Sequence, residues 1–216
     1  MKLDIQKLLE SLDQETVSVL TGLILGDASC ESRSLGTARF QFKQESSNVE
    51  YLMKIHKFLA KKKIVNPSKP KLRTRVVKNS KVRFYYRLNT FTRKSLFVFY
   101  KGFYIRILNS GRKQHVKIIP ENIIEVLDLK CLATWFMGDG SVGGSHGLKL
   151  ATNSFYKTDV IRLSEALNTR HGFNTTVQRD GKQYIIYFPS RDVPEVQAKI
   201  KDLMVSSMHY KLRIKV

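Results

Sequence analysis

Two segments of this chain repeat one pattern 112 residues apart, and this repeat constrains the fold more than any other feature. Leu20–Ala28 reads LTGLILGDA, and Leu132–Gly140 reads LATWFMGDG. Each is an apolar run, typical of a buried helix, that ends in Gly-Asp and a small residue. A helix C-terminus carries partial negative charge, so a carboxylate there is unfavourable unless a cation lies nearby. The repeat therefore indicates that two carboxylates, Asp27 and Asp139, are brought together.

Small residues within the two segments predict that their helices pack against each other. Gly22 in the first segment, and Ala133 or Thr134 in the second, permit a close approach of the two backbones. The two carboxylates would then be neighbours and would repel unless a divalent metal lay between them. Hard oxygen ligands favour Mg²⁺, and such a site suits hydrolysis of a phosphodiester.

The charge of the chain is large and unevenly placed. The formal net charge is +20, and residues 1–120 hold 25 Lys or Arg against 8 Asp or Glu, whereas residues 121–216 hold 13 against 10. Between Glu50 and Glu121 there are 20 basic residues and no acidic one. Because aromatic residues interleave with this charge, the segment is not a disordered basic tail. An excess of this kind indicates a nucleic acid partner, ahead of a membrane surface or an acidic protein.

The order of predicted elements is the same in both halves. Amphipathic helices and alternating strands follow each apolar motif, so the chain reads as an α+β protein made of two αββαββα units. We expect a first subdomain over residues 1–110, a connecting segment over 111–127 and a second subdomain over 128–216. The absence of a low-complexity linker predicts two similar subdomains that pack tightly.

The predicted strands of the first half place polar side chains on one face. In residues 37–43, 72–76 and 82–89, apolar residues alternate with basic and amide side chains, and none of these strands contains Asp or Glu. Arg pairs with guanine, and Gln or Asn with adenine, in a major groove that admits β-ribbons. The candidate DNA-contacting residues are Arg39, Gln41, Lys43, Arg73, Arg75, Arg83, Tyr85 and Arg87, with Lys149, Gln178 and Lys182 in the second half.

The two motifs resemble those of the LAGLIDADG homing endonucleases, in the form that carries both copies on one chain. The resemblance extends over nearly the whole sequence, because the order of elements after each motif is also similar. It implies that the motif helices form a pseudo-twofold interface between the subdomains. It further implies a monomer whose two saddle-shaped sheets straddle double-stranded DNA and cut both strands across the minor groove, leaving 3′ overhangs.

Site residues follow from the same resemblance. Asp27 and Asp139 match the metal-binding acids, and Gly26 and Gly138 match positions that offer a backbone carbonyl to metal. Lys117 and Lys211 resemble the basic residues beside each scissile phosphate. Gln44 matches a position that orders active-site water, and Asn153 resembles its partner, although strand alternation over Leu148–Leu150 fits Asn153 only with a one-residue shift or a bulge.

Departures from the family pattern are few and remove no metal ligand. Ala28 stands where the consensus has Gly, and Leu25 and Met137 replace an Asp at the sixth motif position. Two alternatives stay open: an RNA maturase that assists intron splicing, with or without nuclease activity, and a DNA-binding regulator. The retention of both aspartates favours the endonuclease.

Several other classes of site and location are disfavoured. Five scattered His and two Cys fit no zinc spacing. With only Cys30 and Cys131 the chain has no disulfide framework, which favours a reducing compartment. No apolar run reaches the length of a membrane span, so we expect no membrane partner and an intracellular location, in a mitochondrion or chloroplast if an organelle intron encodes the protein.

Overall fold

The protein is described here by a computed structural model, and the structure describes residues 1–77, 81–109 and 112–215. The α-helices are α1 (Ile5–Leu9), α2 (Gln14–Leu25), α3 (Val49–Lys61), α4 (Lys94–Phe103), α5 (Leu129–Asp139), α6 (Lys157–His171) and α7 (Val193–Ile200). The strands are β1 (Ser29–Ser34), β2 (Thr37–Glu45), β3 (Leu72–Val77), β4 (Lys81–Asn89), β5 (Tyr104–Asn109), β6 (Arg112–Lys117), β7 (Gly140–Val142), β8 (Leu148–Ala151), β9 (Thr176–Asp180) and β10 (Gln183–Phe188).

The two halves have the same architecture, as the element order predicts. After α2 the chain runs β1, β2, α3, β3, β4, α4, and after α5 it runs β7, β8, α6, β9, β10, α7. Each half forms a four-stranded antiparallel sheet, with strand orders β1-β2-β4-β3 and β7-β8-β10-β9. The prediction of two αββαββα units in an α+β fold is confirmed.

The helices of each half cover one face of its sheet. Ala38, Phe40 and Phe42 of β2 are buried, and the ring of Phe40 meets that of Phe99 on α4 edge to face, with centroids 5.4 Å apart. Alternation along β2 turns the intervening polar side chains to the opposite face. Each sheet therefore has one face covered by helices and one polar face.

The start of each motif helix is set by an aspartate cap. The side chain of Asp13 accepts a 2.9 Å hydrogen bond from the backbone N–H of Thr16 at the start of α2, and Asp128 accepts one of 2.8 Å from Cys131 at the start of α5. Such caps satisfy backbone donors that have no partner inside the helix. Asp128 also accepts a hydrogen bond of 2.5 Å from Ser18 on α2, which joins the beginnings of the two motif helices.

Four strands are absent from the sequence prediction: β1, β7 and the two strands of one hairpin. β1 and β7 are short edge strands directly after the motif helices, and the region of β7 reads as a flexible glycine-rich exit in the sequence. Both lack clean alternation, because a short edge strand has one neighbour and little apolar surface to bury. β1 also carries Glu31, so the expectation that the first sheet is free of acidic residues is wrong.

A third addition is the hairpin of β5 and β6, which runs through the expected junction between first subdomain and connecting segment. Its strands pair from Tyr104 with Lys117 to Asn109 with Arg112. Residues 110 and 111, where that boundary falls, lie outside the described residues. The two subdomains and the connecting segment therefore stay a proposed division of the chain.

The apolar face of the first sheet is covered only near its base. Leu88 of β4 is buried, but Phe84 and Val82 are 48% and 49% exposed. The far end of the β3–β4 hairpin thus extends beyond the helices that cover the rest of the face. None of the helices in the described residues is long and apolar enough to cross a membrane.

Candidate active site and nucleic-acid interface

The motif helices α2 and α5 pack against each other at unusually short distance. A methyl group in place of the Gly22 hydrogen would lie 2.5 Å from the carbonyl oxygen of Cys131 and 2.6 Å from Cβ of Thr134. Only glycine fits such a contact. The prediction that Gly22 permits close approach is confirmed, with Thr134 as its neighbour on α5.

The close packing brings each aspartate to the end of the opposite helix. A methyl group on Gly138 would lie 3.3 Å from Oδ2 of Asp27, and one on Gly26 would lie 3.9 Å from Oδ2 of Asp139. The two Gly-Asp pairs are therefore reciprocal across the pseudo-twofold interface, and the two carboxylates are neighbours. Asp27 is exposed and Asp139 is partly buried.

A lysine lies at the end of each motif helix and satisfies its free carbonyl groups. Lys117 Nζ donates to the carbonyl oxygens of Ile24 at 2.8 Å and Ala28 at 3.2 Å. Lys211 Nζ donates to those of Met137 at 2.7 Å and Gly138 at 2.6 Å. A carboxylate at a helix C-terminus is unfavourable unless a cation lies nearby, and these two lysines supply that cation. Each ammonium group offsets the partial negative charge of one helix C-terminus.

Burial and mutual charge shift the ionisation of this cluster. Burial, and then the neighbouring charge of Asp27, raise the pKa of Asp139 to about 7. Burial lowers the pKa of Lys117 to about 8, against the opposing effect of the two carboxylates. Burial also lowers the pKa of Lys211. Two carboxyl groups and two ammonium groups therefore lie together at the helix ends, and the raised pKa of Asp139 is typical of a functional site.

Gln44 joins this cluster from the covered face of β2. Its Nε2 donates a 2.5 Å hydrogen bond to Oδ2 of Asp27, and its Oε1 accepts one of 3.1 Å from Asn48 Nδ2. Asn48 therefore holds the amide so that its N–H groups face the carboxylate.

Asn153 is placed differently from Gln44. It is exposed in the turn that follows β8, and within the described residues it makes no hydrogen bond to either aspartate. Gln44 faces Tyr86 in the first sheet, and the register of β8 against β10, which ends with Ala151 opposite Ile185, would place Thr152 opposite Tyr184 if continued by one residue. Thr152 is the residue at the position equivalent to Gln44, and it donates to the Tyr184 carbonyl oxygen at 2.6 Å. Within β8, from Leu148 to Ala151, the register against β10 contains no one-residue shift.

The donor atoms at the helix ends suit a hard divalent cation. Two carboxylates and the nearby glycine carbonyls are oxygen ligands, and a Mg²⁺ ion takes one or two protein carboxylates together with water and phosphate oxygens. Across the described ranges there is no group of three or more His, Cys, Asp or Glu side chains that could hold a metal ion by themselves. The carbonyl of Gly138 already accepts from Lys211 but retains a second lone pair.

The polar face of the first sheet gathers all eight first-half candidates for DNA contact. Lys43 is paired with Arg87, Arg73 with Tyr85, and Arg75 with Arg83, and directly paired residues share a face. Arg39 and Gln41 lie on the same face two residues apart along β2. We call this surface the reading face.

Acidic residues on the reading face organise its basic ones, and the sequence prediction missed them. Glu31 accepts hydrogen bonds from Arg39 and from Gln41, the latter at 2.6 Å, and Gln41 in turn accepts from Arg87 at 2.9 Å. Glu45 pairs with Arg83 at 2.7 Å. The signal for Glu31 lies in the register: Glu31 faces Arg39 only if residues 29–34 form an edge strand.

The second sheet offers a much less basic surface. Lys149 is paired with Asp180 at 3.3 Å, Gln178 is exposed on β9, and Lys182 lies in the turn between β9 and β10 and not on a strand. The excess of positive charge in the first half of the sequence therefore lies mainly on the first sheet.

Several known proteins are similar to this chain in sequence and in architecture. Residues 17–196 match the profile of the LAGLIDADG DNA endonuclease family. The cytochrome b mRNA maturase bI2 of Debaryomyces hansenii is 37% identical over 204 residues, which are 93% of this chain and 74% of that protein. The DNA endonuclease I-ChuI of Chlamydomonas applanata is 28% identical over 94% of this chain and 96% of its own length.

A solved structure supports the same architecture. The homing endonuclease I-WcaI bound to its DNA recognition sequence superposes with a TM-score of 0.78 at 24% identity, covering 95% of this chain and 88% of that one. At this identity the likeness establishes the fold. With both motifs, the sequence profile and the repeated architecture in agreement, the chain belongs to the LAGLIDADG DNA endonuclease family.

Proposed function

We propose that this protein is a site-specific DNA endonuclease that makes one staggered double-strand break in a long duplex target. The observation that carries the proposal is the reciprocal pair of Gly-Asp ends, with Asp27 and Asp139 side by side and Lys117 and Lys211 at the two helix ends. Two such half-sites on one chain suit the cutting of two strands by a monomer.

A divalent cation held by Asp27, Asp139 and the carbonyls of Gly26 and Gly138 would polarise the scissile phosphate and lower the pKa of an attacking water. The raised pKa of Asp139 supports this assignment, because a bound cation would favour its ionised form. Mg²⁺ is the cation that we propose, since its preference for carboxylate and phosphate oxygens matches the donors present.

The protein's own side chains contribute position and charge. Lys117 and Lys211 hold ammonium groups beside the carboxylates, where they can attract and orient the negative phosphodiester. Gln44 fixes the orientation of Asp27 through its hydrogen bond. Asn153, which lies on the exposed turn after β8, is proposed to help order active-site water in the second half without contacting the aspartates.

The reading face would supply both affinity and selectivity for DNA. Exposed arginines such as Arg73 and Arg75 can contact phosphates or guanine edges, and Gln41 and Tyr85 can contact base edges. Because phosphate contacts release counterions, binding should weaken steeply as salt increases. We propose that the first subdomain supplies most of the non-specific affinity, and that Lys149, Gln178 and Lys182 add contacts in the second half.

Cleavage of a randomised DNA library tests the proposal and yields the target. With Mg²⁺ the wild type should produce discrete cut sites, and chelation with EDTA should abolish them. Asp27→Asn and Asp139→Asn should each eliminate double-strand cleavage while leaving binding to the recovered target intact. Asp202→Asn, at an exposed aspartate that takes no part in the contacts at the two helix ends, is the matched control. Cleavage that persists in either motif variant would refute the assignment.

A second candidate function is an RNA maturase that assists intron splicing. The specific observation in its favour is the 37% identity to a protein named as a cytochrome b mRNA maturase. Tight nucleic-acid binding without any cleavage in the library experiment would move the assignment to this function. The proposed location is intracellular, in the organelle whose intron encodes the protein, and fractionation of the source cells would test it.

A further inference from the structure

An open cavity lies on the outer side of α4, on the side of the first sheet away from the reading face. It has a volume of about 830 Å³, within the range of about 300–1,000 Å³ typical of sites for groups the size of a nucleotide. We call it the α4 basin. Its charged and aromatic lining consists of Lys2, Asp4, Lys7, Lys94, Phe97, Tyr100, Lys101, Tyr104 and Arg106.

The α4 basin is strongly positive. Four lysines and Arg106 line it against one carboxylate, that of Asp4, which accepts from the backbone N–H of Lys7 as the cap of α1. Across residues 1–77, 81–109 and 112–215, none of these five cations has a carboxylate oxygen within 4.0 Å. Such a concentration of unpaired positive charge in a concave surface attracts a polyanion.

Three aromatic rings stand in a row within the α4 basin. The Phe97 and Tyr100 rings are stacked with centroids 5.7 Å apart and planes 18° from parallel, and those of Tyr100 and Tyr104 follow at 5.5 Å and 16°. The row is fixed at its end, because the Tyr104 hydroxyl accepts a 3.1 Å hydrogen bond from the backbone N–H of Cys30. The central ring is covered by its neighbours, so the row offers a stacking face at its end, at Phe97, and a rigid ring bordered by cations is a platform on which a single-stranded base stacks.

The α4 basin is separate from the reading face. The buried face of α4 packs on the apolar side of β2, as the contact between Phe99 and Phe40 shows, whereas Arg39 and Gln41 project from the other side. A duplex on the reading face and a strand in the α4 basin would therefore occupy opposite sides of one sheet.

The pseudo-symmetric helix in the second half, α7, carries a different set of side chains over its described residues 193–200. α7 carries Glu195, which pairs with Lys199 at 2.6 Å, and Pro194 and Val196 stand beside Glu195 in place of a basic and aromatic stripe. The α4 basin is therefore not a by-product of the shared architecture. It is a property of the first half, where the excess positive charge lies.

We propose that the α4 basin binds single-stranded RNA, with a base stacked on the outer face of Phe97 at the end of the row and phosphates held by Lys94, Lys101 and Arg106. This inference rests on the second candidate function, in which the chain acts on RNA, and it adds the surface that would do so. Because that surface is distinct from the reading face, the protein can hold RNA without giving up its DNA contacts.

Paired charge reversals test the separation of the two surfaces. Binding of a labelled oligouridine of about 20 nucleotides and of a random duplex would be measured for wild type, Lys94→Glu/Lys101→Glu and Arg73→Glu/Arg75→Glu. All four positions are exposed, so these variants should fold. The α4 pair should weaken RNA binding about tenfold or more and leave duplex binding within about twofold, and the Arg73/Arg75 pair should do the reverse.

A second set of binding measurements tests base stacking and distinguishes RNA from DNA as the bound strand. Phe97→Ala should weaken oligouridine binding about tenfold, as expected when a stacked base loses its platform, and oligothymidine of equal length should bind more weakly than oligouridine. RNA binding that is insensitive to the α4 changes, that falls together with duplex binding, or that is weaker than oligothymidine binding would overturn the proposal.

The cleavage assay keeps this inference distinct from the endonuclease assignment. The α4 variants should cut the DNA target as the wild type does. If the wild type fails to cut but the α4 changes still abolish RNA binding selectively, the endonuclease proposal fails and the RNA surface stands.

Discussion

Gln44 donates a 2.5 Å hydrogen bond to Asp27, whereas Asp139 receives none from any described side chain. The two halves of the site therefore differ, although their backbones repeat. At the position equivalent to Gln44 the second half has Thr152, whose hydroxyl is directed to the carbonyl of Tyr184.

This difference predicts unequal effects on the two DNA strands. Gln44→Ala should slow cleavage of one strand about tenfold, because a hydrogen bond to a charged group contributes about 1.5 kcal/mol or more. Nicked plasmid should accumulate in a time course on supercoiled target. Thr152→Val, which removes a hydroxyl that does not face the carboxylates, is the control and should leave the ratio of nicked to linear product unchanged.

The glycine contact between the motif helices predicts a loss of stability. Gly22→Ala would place its methyl group within 2.6 Å of α5, so it should destabilise the fold by about 1–3 kcal/mol in spite of the higher helix propensity of alanine. Thermal unfolding would show a lower Tm. Gly144→Ala has no atom within 4 Å of the added methyl group, and an equal Tm for the two variants would contradict the packing described above.

The raised pKa of Asp139 predicts how stability depends on pH when no metal is bound. In the unfolded chain this carboxyl group loses its proton near pH 3.8, but in the folded protein only near pH 7. Between these two pH values the folded protein keeps a proton that the unfolded chain has lost. The contribution of this group therefore makes the free energy of unfolding fall as pH rises from about 4 to about 7. In EDTA at pH 8, Asp139→Asn should be more stable than wild type, by at most about 4 kcal/mol.

Chemical denaturation at a series of pH values measures this dependence. The stabilising effect of Asp139→Asn should shrink towards pH 4, where the wild-type carboxyl is protonated in both states. Adding Mg²⁺ should stabilise the wild type, and not the variant, most strongly above pH 7. A variant no more stable than wild type at pH 8 in EDTA would show that ionised Asp139 does not destabilise the folded protein.

Glu31 on the reading face predicts a change in selectivity. Glu31→Gln removes a negative charge that holds Arg39 and Gln41, so affinity for random duplex should rise a few-fold while discrimination at the contacted base pair falls. Binding to a panel of targets with single base-pair changes would detect this. Glu10→Gln, at an exposed glutamate at the end of α1, is the matched control, and equal effects of the two changes would indicate a simple charge effect.

The uneven charge predicts an uneven salt dependence. Arg73→Ala/Arg75→Ala should reduce the slope of log affinity against log salt by about 2, since each phosphate contact contributes about 0.9. Lys182→Ala should reduce it by at most about 1. If Lys182→Ala had the larger effect, the second sheet would be the main source of non-specific affinity.

The local sequence was sufficient for elements whose residues form a complete pattern. Asp13 and the apolar run that follows it define α2, and alternation in residues 37–43 defines β2, because caps and periodicity act within a few residues. The repeat of Gly-Asp likewise determined that Asp27 and Asp139 lie at the ends of two similar helices. The close contact at Gly22 could be predicted because glycine removes the steric barrier between backbones.

The tertiary structure decided what depends on register and on contacts between distant segments. Edge strand β1 has too little apolar alternation to predict, yet its pairing with β2 places Glu31 against Arg39. Only the tertiary structure shows that Thr152 donates to the carbonyl of Tyr184 while Asn153 lies in an exposed turn. The hydrogen bonds from Lys117 and Lys211 to the ends of helices more than 70 residues away depend on how segments distant along the chain fold back onto those helices. A sequence determines which local structures are stable; long-range packing and pairing determine which side chains share a site.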